Sequence, residues 1–237
     1  MDDHTLAATL AKEAGELLLS IRDLGGRVGD QRSDRLLLER LAEERPADAV
    51  LSEESPDDPV RTERSRVWIV DPLDGTREYG EPGRSDWAVH VALAVDGEPV
   101  AGAVALPAEG TVLHTGRPPI LPPPPAPGTV RVALSRSRPS FEVRQLVARL
   151  SAIPVPMGSA GAKAMAVVRG AADIYAHSGG QYEWDSCAPV AVAAAAGLHV
   201  SRLDGSPLRY NRPDPYLPDL LICRPELADI ALEALTG

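Results

Sequence analysis

The sequence predicts a mixed α/β (α+β) fold in two parts. An N-terminal half is built on a largely antiparallel sheet, and a smaller C-terminal half alternates strands with helices. Three observations predict it. Val67-Trp68-Ile69-Val70 is an unbroken apolar run that reads as a strand buried on both faces and ends on Asp71. Strand patterns over 87–95 and 98–106 are joined by Asp96-Gly97, a strong hairpin signal. Residues 116–128, Gly-Arg-Pro-Pro-Ile-Leu-Pro-Pro-Pro-Pro-Ala-Pro-Gly, read as a stiff polyproline connection, which divides the chain into 1–128 and 129–237.

The other elements follow in order. Leu6, Ala7, Leu10, Ala11, Ala14, Leu17, Leu18 and Ile21 recur at helical spacing, predicting an amphipathic helix over 5–22 that Gly25-Gly26 ends. Leu36, Leu37, Leu38 and Leu41 predict a second helix over 35–44, stopped by Pro46, with Asp30 preceding it. Ala49-Val50-Leu51 is a short strand running into Ser52-Glu53-Glu54, and 55–66 is a polar connection. Past the hairpin, Glu109-Gly110 turns the chain into a strand over 111–114. Beyond the prolines come a strand over 130–134, a helix over 141–150 and a strand over 153–156. A small-residue helix over 162–168, a strand over 172–176 and an alanine-rich helix over 184–196 continue the alternation. Asp204-Gly205 marks a turn, Leu220-Leu221-Ile222-Cys223 an apolar strand, and Pro225 can open a last helix.

The totals narrow the function. With 44% hydrophobic and 24% charged residues over 237 positions, the chain can bury a sizeable core. Aromatic content of 4%, with one Phe, makes that core rest on Leu, Val, Ile and Ala. Lys+Arg of 24 against Asp+Glu of 34 gives −10, which argues against nucleic acid as a partner. Cys187 and Cys223 alone cannot build a disulfide framework. Met1-Asp2-Asp3-His4 starts no apolar signal core, and no stretch has the length of a membrane span, so a cytoplasmic protein with no membrane partner is expected.

The run Asp71-Pro72-Leu73-Asp74-Gly75-Thr76 carries the strongest chemical signal. Proline keeps Asp71 extended, and Gly75 permits a turn that a side chain would block. Asp71 and Asp74 can then aim their oxygens into one volume, with the Leu73 carbonyl between them and the N–H and hydroxyl of Thr76 facing it. Carboxylates, a carbonyl and water suit a hard cation, and Mg²⁺ is the usual choice beside phosphate. An ordinary Asx/proline turn would need only one Asp. Ser52-Glu53-Glu54 is by itself a solvated loop, but it ends a strand near one that also ends in carboxylates. N–H groups from Gly75 to Arg77 can receive phosphate at a helix start.

Two C-terminal stretches add to this. Gly179-Gly180-Gln181-Tyr182-Glu183-Trp184-Asp185 is a glycine-rich loop that delivers Asp185 at a helix mouth, where Asp also serves simply as a cap. In Gly158-Ser159-Ala160-Gly161-Ala162-Lys163, the lysine stands near the start of an apolar helix. A cation there opposes the helix dipole unless an anion meets it; a solvated lysine is the plain alternative. His177 reads as a surface histidine.

Asp71-Pro72-Leu73-Asp74-Gly75-Thr76, with Trp184-Asp185 downstream, resembles the signature of the inositol monophosphatase superfamily of Mg²⁺-dependent, lithium-sensitive phosphatases. The resemblance spans nearly the whole chain. It implies a layered αβαβα sandwich of the inositol monophosphatase/fructose-1,6-bisphosphatase type, a site between the halves and a homodimer. By resemblance, Glu53, Asp71, the Leu73 carbonyl, Asp74 and Asp185 are metal ligands for two Mg²⁺ ions, with a third position left open. Thr76 with Glu53 resembles the pair that activates the attacking water, and Asp30 the acid of the family's Thr-x-x-Asp element.

Ser159-Ala160-Gly161-Ala162-Lys163, followed by Trp184-Asp185-Ser186-Cys187-Ala188-Pro189, is similar to the bisphosphate nucleotidase branch. That branch removes the 3′-phosphate of 3′-phosphoadenosine 5′-phosphate, a by-product of sulfate activation. Asp74, Gly75, Thr76, Ser159, Lys163 and Asp185 are then expected to bind substrate, a small nucleotide bisphosphate. Inositol-1-phosphate or fructose-1,6-bisphosphate as substrate, and an inactive phosphate-binding regulator, are the alternatives. One departure is visible: the segment Arg22-Asp23-Leu24-Gly25-Gly26-Arg27-Val28-Gly29-Asp30 lacks the family's longer flap with its threonine and lysine. That departure bears on the third metal position and on the depth of lithium inhibition.

Overall fold

Two helices, α1 (Asp3–Ser20) and α2 (Gly26–Glu44), lead into the first sheet of this computed structural model, which describes residues 1–124 and 128–236. Strand β1 (Ala49–Ser52) pairs in parallel with β2 (Arg66–Asp74), and the short helix α3 (Thr76–Gly80) follows β2 directly. Strands β3 (Ala88–Val95), β4 (Glu98–Leu106) and β5 (Thr111–His114) add an antiparallel meander, giving the order β1-β2-β3-β4-β5. At the β3–β4 turn Asp96 and Gly97 have φ of 51° and 81°, the two positive values that a tight hairpin requires.

The apolar run of β2 is explained by period 2. Trp68 and Val70 face one side and pack with Leu6, Leu10, Leu18 and Leu37 of α1 and α2. Val67 and Ile69 face the other side and enter a core shared with two later helices. Both faces are covered, so no polar alternation survives in the sequence.

The second sheet comprises β6 (Arg131–Ser135), β7 (Ile153–Met157), β8 (Ile174–Tyr182), β9 (His199–Ser201) and β10 (Tyr216–Cys223), in the order β7-β6-β8-β10-β9. Its β6–β7 and β6–β8 pairs are parallel, and β10 runs antiparallel to both neighbours. Helices α5 (Ala160–Val168) and α6 (Glu183–Ala195) lie between the sheets, sharing one core with Val67, Ile69, Tyr175, Leu220 and Ile222. Helices α4 (Phe141–Arg149) and α7 (Ala228–Thr236) cover the far face, packing Val143, Leu146 and Ala231 against Ile174 and Leu221 of the sheet. The layers are therefore αβαβα, as expected. No helix among the described residues is long and apolar enough to cross a membrane.

Several expectations need correction. The second helix begins at Gly26 rather than 35, so Asp30 lies within α2 and does not precede it. Its first turns have no apolar period because they bury small and polar groups instead: Gly29 packs on Tyr79, and the Ser33 hydroxyl donates to the Pro72 carbonyl at 2.8 Å. The first helix ends at Ser20, before a single 3₁₀ turn over Arg22–Leu24. β2 continues through Pro72-Leu73-Asp74 instead of ending on Asp71, with its register against β3 shifting between Asp71 and Asp74. The proline falls in that irregular step, where a missing N–H is tolerated. Gly179-Gly180 belongs to β8 rather than to a loop, in left-handed conformations (φ 77° and 90°) that a register shift against β10 accommodates. Of the proline-rich connection 116–128, residues 125–127 lie outside the described residues.

Candidate active site

The site is assembled where β1 and β2 end and where α5 and α6 begin. The irregular end of β2 places Asp71 and Asp74 together, and the start of α6 supplies Asp185. One carboxylate oxygen from each of the three lies within 4.8 Å of the others. Asp71 and Asp74 are buried. Asp71 Oδ1 accepts the Leu73 N–H at 3.0 Å, whereas its buried Oδ2 has no hydrogen-bond donor among the described residues. A buried, unpartnered carboxylate oxygen facing two further carboxylates is a donor set that fits a hard divalent cation.

Asp74 is held differently. Its oxygens accept the Ser159 hydroxyl at 2.6 Å, the Gly161 N–H at 2.6 Å and the Ala160 N–H at 3.1 Å, all at the start of α5. Ser159 is also the N-cap of α5, accepting the Ala162 N–H at 2.8 Å. Gly75, with φ 87°, lets the chain turn here, where a Cβ would stand 3.0 Å from that of Ser159. His90 of β3, fully buried, brings Nε2 to 3.1 Å from Asp74 Oδ2 and Nδ1 to 3.0 Å from the Trp184 carbonyl.

The remaining acids line the N-terminal side. Asp30, buried in α2, accepts the Thr76 hydroxyl at 3.1 Å, and that hydroxyl also lies 3.2 Å from the Leu73 carbonyl. Glu53 follows β1, its N–H donating to the Val70 carbonyl at 3.4 Å. As a residue Glu53 is exposed, and its carboxyl feels the charges of Asp30, Asp74 and Glu54. Asp34, one helical turn beyond Asp30, accepts the hydroxyls of Ser52 at 2.6 Å and Ser55 at 2.8 Å, pinning the segment that presents Glu53.

Packing so many carboxylates together moves their protonation upward. Burial, and then Glu53 and Asp74, push Asp71 well above the usual range. Burial and Glu54 raise Asp30 to about 7; burial and Asp30 raise Glu53 to about 7; burial and Asp74 raise Asp185 to about 7. Asp74 is the exception. Burial works against its charge, yet His90, Ser159 and the Gly161 N–H hold it down at about 2. Burial presses His90 towards neutrality, but ionised Asp74 outweighs it and its imidazolium persists above the usual range.

Lys163 is buried in the second turn of α5. Its Nζ donates to the Gly158 carbonyl at 2.6 Å and lies 5.4 Å from the Tyr175 ring centroid. Burial lowers its proton affinity against the pull of Asp74 and Asp185. His177 is half-buried rather than a surface residue, with Nε2 3.0 Å from the Gly179 carbonyl, and burial followed by nearby Lys163 brings it down to about 4. Asp185 combines two roles: it accepts the Tyr182 N–H at 2.7 Å as a cap and still belongs to the acid cluster.

Sequence reasoning missed His90 and Asp34. A lone titratable residue inside the apolar run Ala88-Val89-His90-Val91-Ala92 was the available signal for the first. For Asp34, the signal was its i,i+4 spacing from Asp30.

The chain as a whole is also similar to known proteins. The model of the "Inositol monophosphatase family" matches residues 27–233. The chain is similar to a 3′-phosphoadenosine 5′-phosphate phosphatase of Mycobacterium bovis, with 53% identity over 94% of this chain and 89% of the relative. A protein of the same name from Mycobacterium leprae is 51% identical over 98% of this chain and 93% of the relative. Among solved structures, CysQ from Bacteroides thetaiotaomicron superposes with a TM-score of 0.79 at 26% identity, covering 92% of this chain and 96% of that one.

Proposed function

We propose the activity of this chain from the premise that it belongs to the inositol monophosphatase family, whose model spans residues 27–233. The reading is Mg²⁺-dependent hydrolysis of the 3′-phosphate of 3′-phosphoadenosine 5′-phosphate to AMP and phosphate, clearing a by-product of sulfate activation. The observation that carries it is the meeting of Asp71, Asp74 and Asp185 within 4.8 Å, beside a buried lysine, in a chain 53% identical to a relative of that name. On this reading Glu53, Asp71, the Leu73 carbonyl, Asp74 and Asp185 would hold two Mg²⁺ ions, with a third position left open by the short segment over 22–30.

Bound Mg²⁺ supplies Lewis acidity and a water of lowered pKa. The chain's own residues do the rest. Thr76 and Glu53 orient the attacking water, with Asp30 accepting the Thr76 hydroxyl and so fixing where its lone pairs point. Gly75 and Thr76 receive phosphate oxygens, and Ser159 and Lys163 are assigned to contacts with the nucleotide. A cytoplasmic homodimer, divided in sequence at 128/129, belongs to the same proposal.

Phosphate release from 3′-phosphoadenosine 5′-phosphate, inositol-1-phosphate and fructose-1,6-bisphosphate, compared at low substrate with Mg²⁺, tests the reading. The nucleotide is expected to lead in kcat/KM by at least about tenfold. Equal or faster turnover of inositol-1-phosphate would reverse the assignment, and no Mg²⁺-dependent turnover of any of them would leave a phosphate-binding regulator.

The raised carboxyls give a pH test with a definite sign. Between the ordinary carboxylate values of 3.8 and 4.5 and about 7, folded Asp30, Glu53 and Asp185 hold protons that the unfolded chain has released. Stability therefore falls as pH rises through that window when a chelator is present. Mg²⁺ binds the ionised carboxylates, so it is expected to raise the melting temperature strongly near neutral pH and little near pH 5. Melting curves in chelator that stay level or climb between those values would contradict the clustering.

A further inference from the structure

We infer that Tyr182, Trp184 and Tyr216 form a stacking ledge for the nucleobase, an inference that rests on the nucleotide reading above. The chain has three Trp, five Tyr and one Phe, so an aromatic ring left in the open is uncommon here. Trp68, Trp87, Tyr79, Tyr175 and Tyr210 are all buried. Of the others, Phe141 stands apart on α4, and the remaining three gather in one place.

Tyr182 lies flat on Trp184, with ring centroids 4.8 Å apart and planes 10° apart. Trp184 thus covers one face of Tyr182, which is nonetheless 41% exposed. Tyr216, 39% exposed, stands nearly perpendicular to Tyr182 at 5.8 Å and 82°. Its hydroxyl accepts the Gly180 N–H at 3.2 Å, which fixes it to β8. A Cβ at Gly179 or Gly180 would meet nothing within 4 Å, so the strand leading to the ledge is itself unobstructed.

The ledge adjoins the acid cluster through the backbone that carries Asp185. The Tyr182 N–H donates to Asp185 Oδ2 at 2.7 Å, and the Trp184 carbonyl meets His90. On this inference a ligand with its phosphate at Asp71, Asp74 and Asp185 reaches these rings with its base. Every base offers a π-face to such a platform, whereas a polyol ring offers none. The ledge selects nucleotides over inositol phosphates by what lies beyond the reacting phosphate.

The test uses the full chain with Tyr182→Ala, Tyr182→Phe and Tyr216→Ala. The Tyr182→Ala variant is expected to raise KM for 3′-phosphoadenosine 5′-phosphate about tenfold more than KM for inositol-1-phosphate, and Tyr182→Phe to restore it. Tyr216→Ala shifts KM in the same direction by a smaller factor. Equal changes for both substrates, or no change for the nucleotide, would overturn the ledge while leaving the phosphatase reading intact. Binding is read independently by tryptophan fluorescence with AMP as the probe, because Trp68 and Trp87 are buried and Trp184 is not. Quenching in the parent that Tyr182→Ala abolishes supports the ledge even where the parent fails to hydrolyse the nucleotide, an outcome that would sink only the assigned reaction. Absence of quenching in the parent overturns the ledge.

Discussion

Asp71→Asn is expected to lower Mg²⁺-dependent kcat by more than about 100-fold, beyond what loss of a group outside the ligand shell costs. The same variant is expected to melt no lower than the parent in chelator near neutral pH, and by the charge argument somewhat higher. Asp71 is buried, and its proton affinity is raised by burial, Glu53 and Asp74. An amide keeps the acceptor for the Leu73 N–H and turns a donor towards neighbouring carboxylates, so repulsion becomes attraction. Opposite signs for activity and stability are the mark of a functional site held under strain. Retained turnover would remove Asp71 from the ligand set; a collapse of the fold would show that its role is architectural.

Gly161→Ala is expected to be the most damaging single-atom insertion in the site. Its Cβ would fall 2.1 Å from His90 Nε2 and 3.1 Å from the Ala88 Cβ, both fully buried and unable to yield. Overpacking of a tight interior costs about 1–3 kcal/mol. Displacing the Gly161 N–H from ionised Asp74 adds roughly 1.5–3 kcal/mol, the range for a hydrogen bond to a charged group. For a chain of this size, a combined loss of roughly 2.5–6 kcal/mol lowers the melting temperature by about 5–24 °C. Gly80→Ala is the control: nothing lies within 4 Å of its added Cβ and its φ is not positive. Thermal unfolding of the two variants within about 2 °C of each other would refute the contact.

How much of this was legible in the sequence depended on whether the signal was local. The strand through Ile69 and the hairpin at Asp96-Gly97 were readable because apolar runs and turn residues act over a few positions. The first turns of α2 were not, because Gly29, Asp30 and Ser33 are buried through contacts with Tyr79, Thr76 and Pro72, far away in sequence. Asp71-Pro72-Leu73-Asp74-Gly75-Thr76 announced an acid pair, yet nothing in it revealed that Asp74 is satisfied by Ser159, Ala160 and Gly161. Lys163 was expected to meet an anion. That its Nζ also donates to the Gly158 carbonyl is a contact no local pattern announces. Tertiary docking decides these matters, and no window of neighbouring residues reports it.

The three donors that clasp Asp74 have a consequence for the order in which the polypeptide matures. They are synthesised long after the carboxylate they satisfy, so a nascent chain truncated before residue 159 holds an interior anion with no donor from α5. Such a fragment also lacks the helices that cover Val67 and Ile69. Ribosome-bound intermediates of that length should therefore stay protease-sensitive, and compaction should coincide with the emergence of α5 and α6.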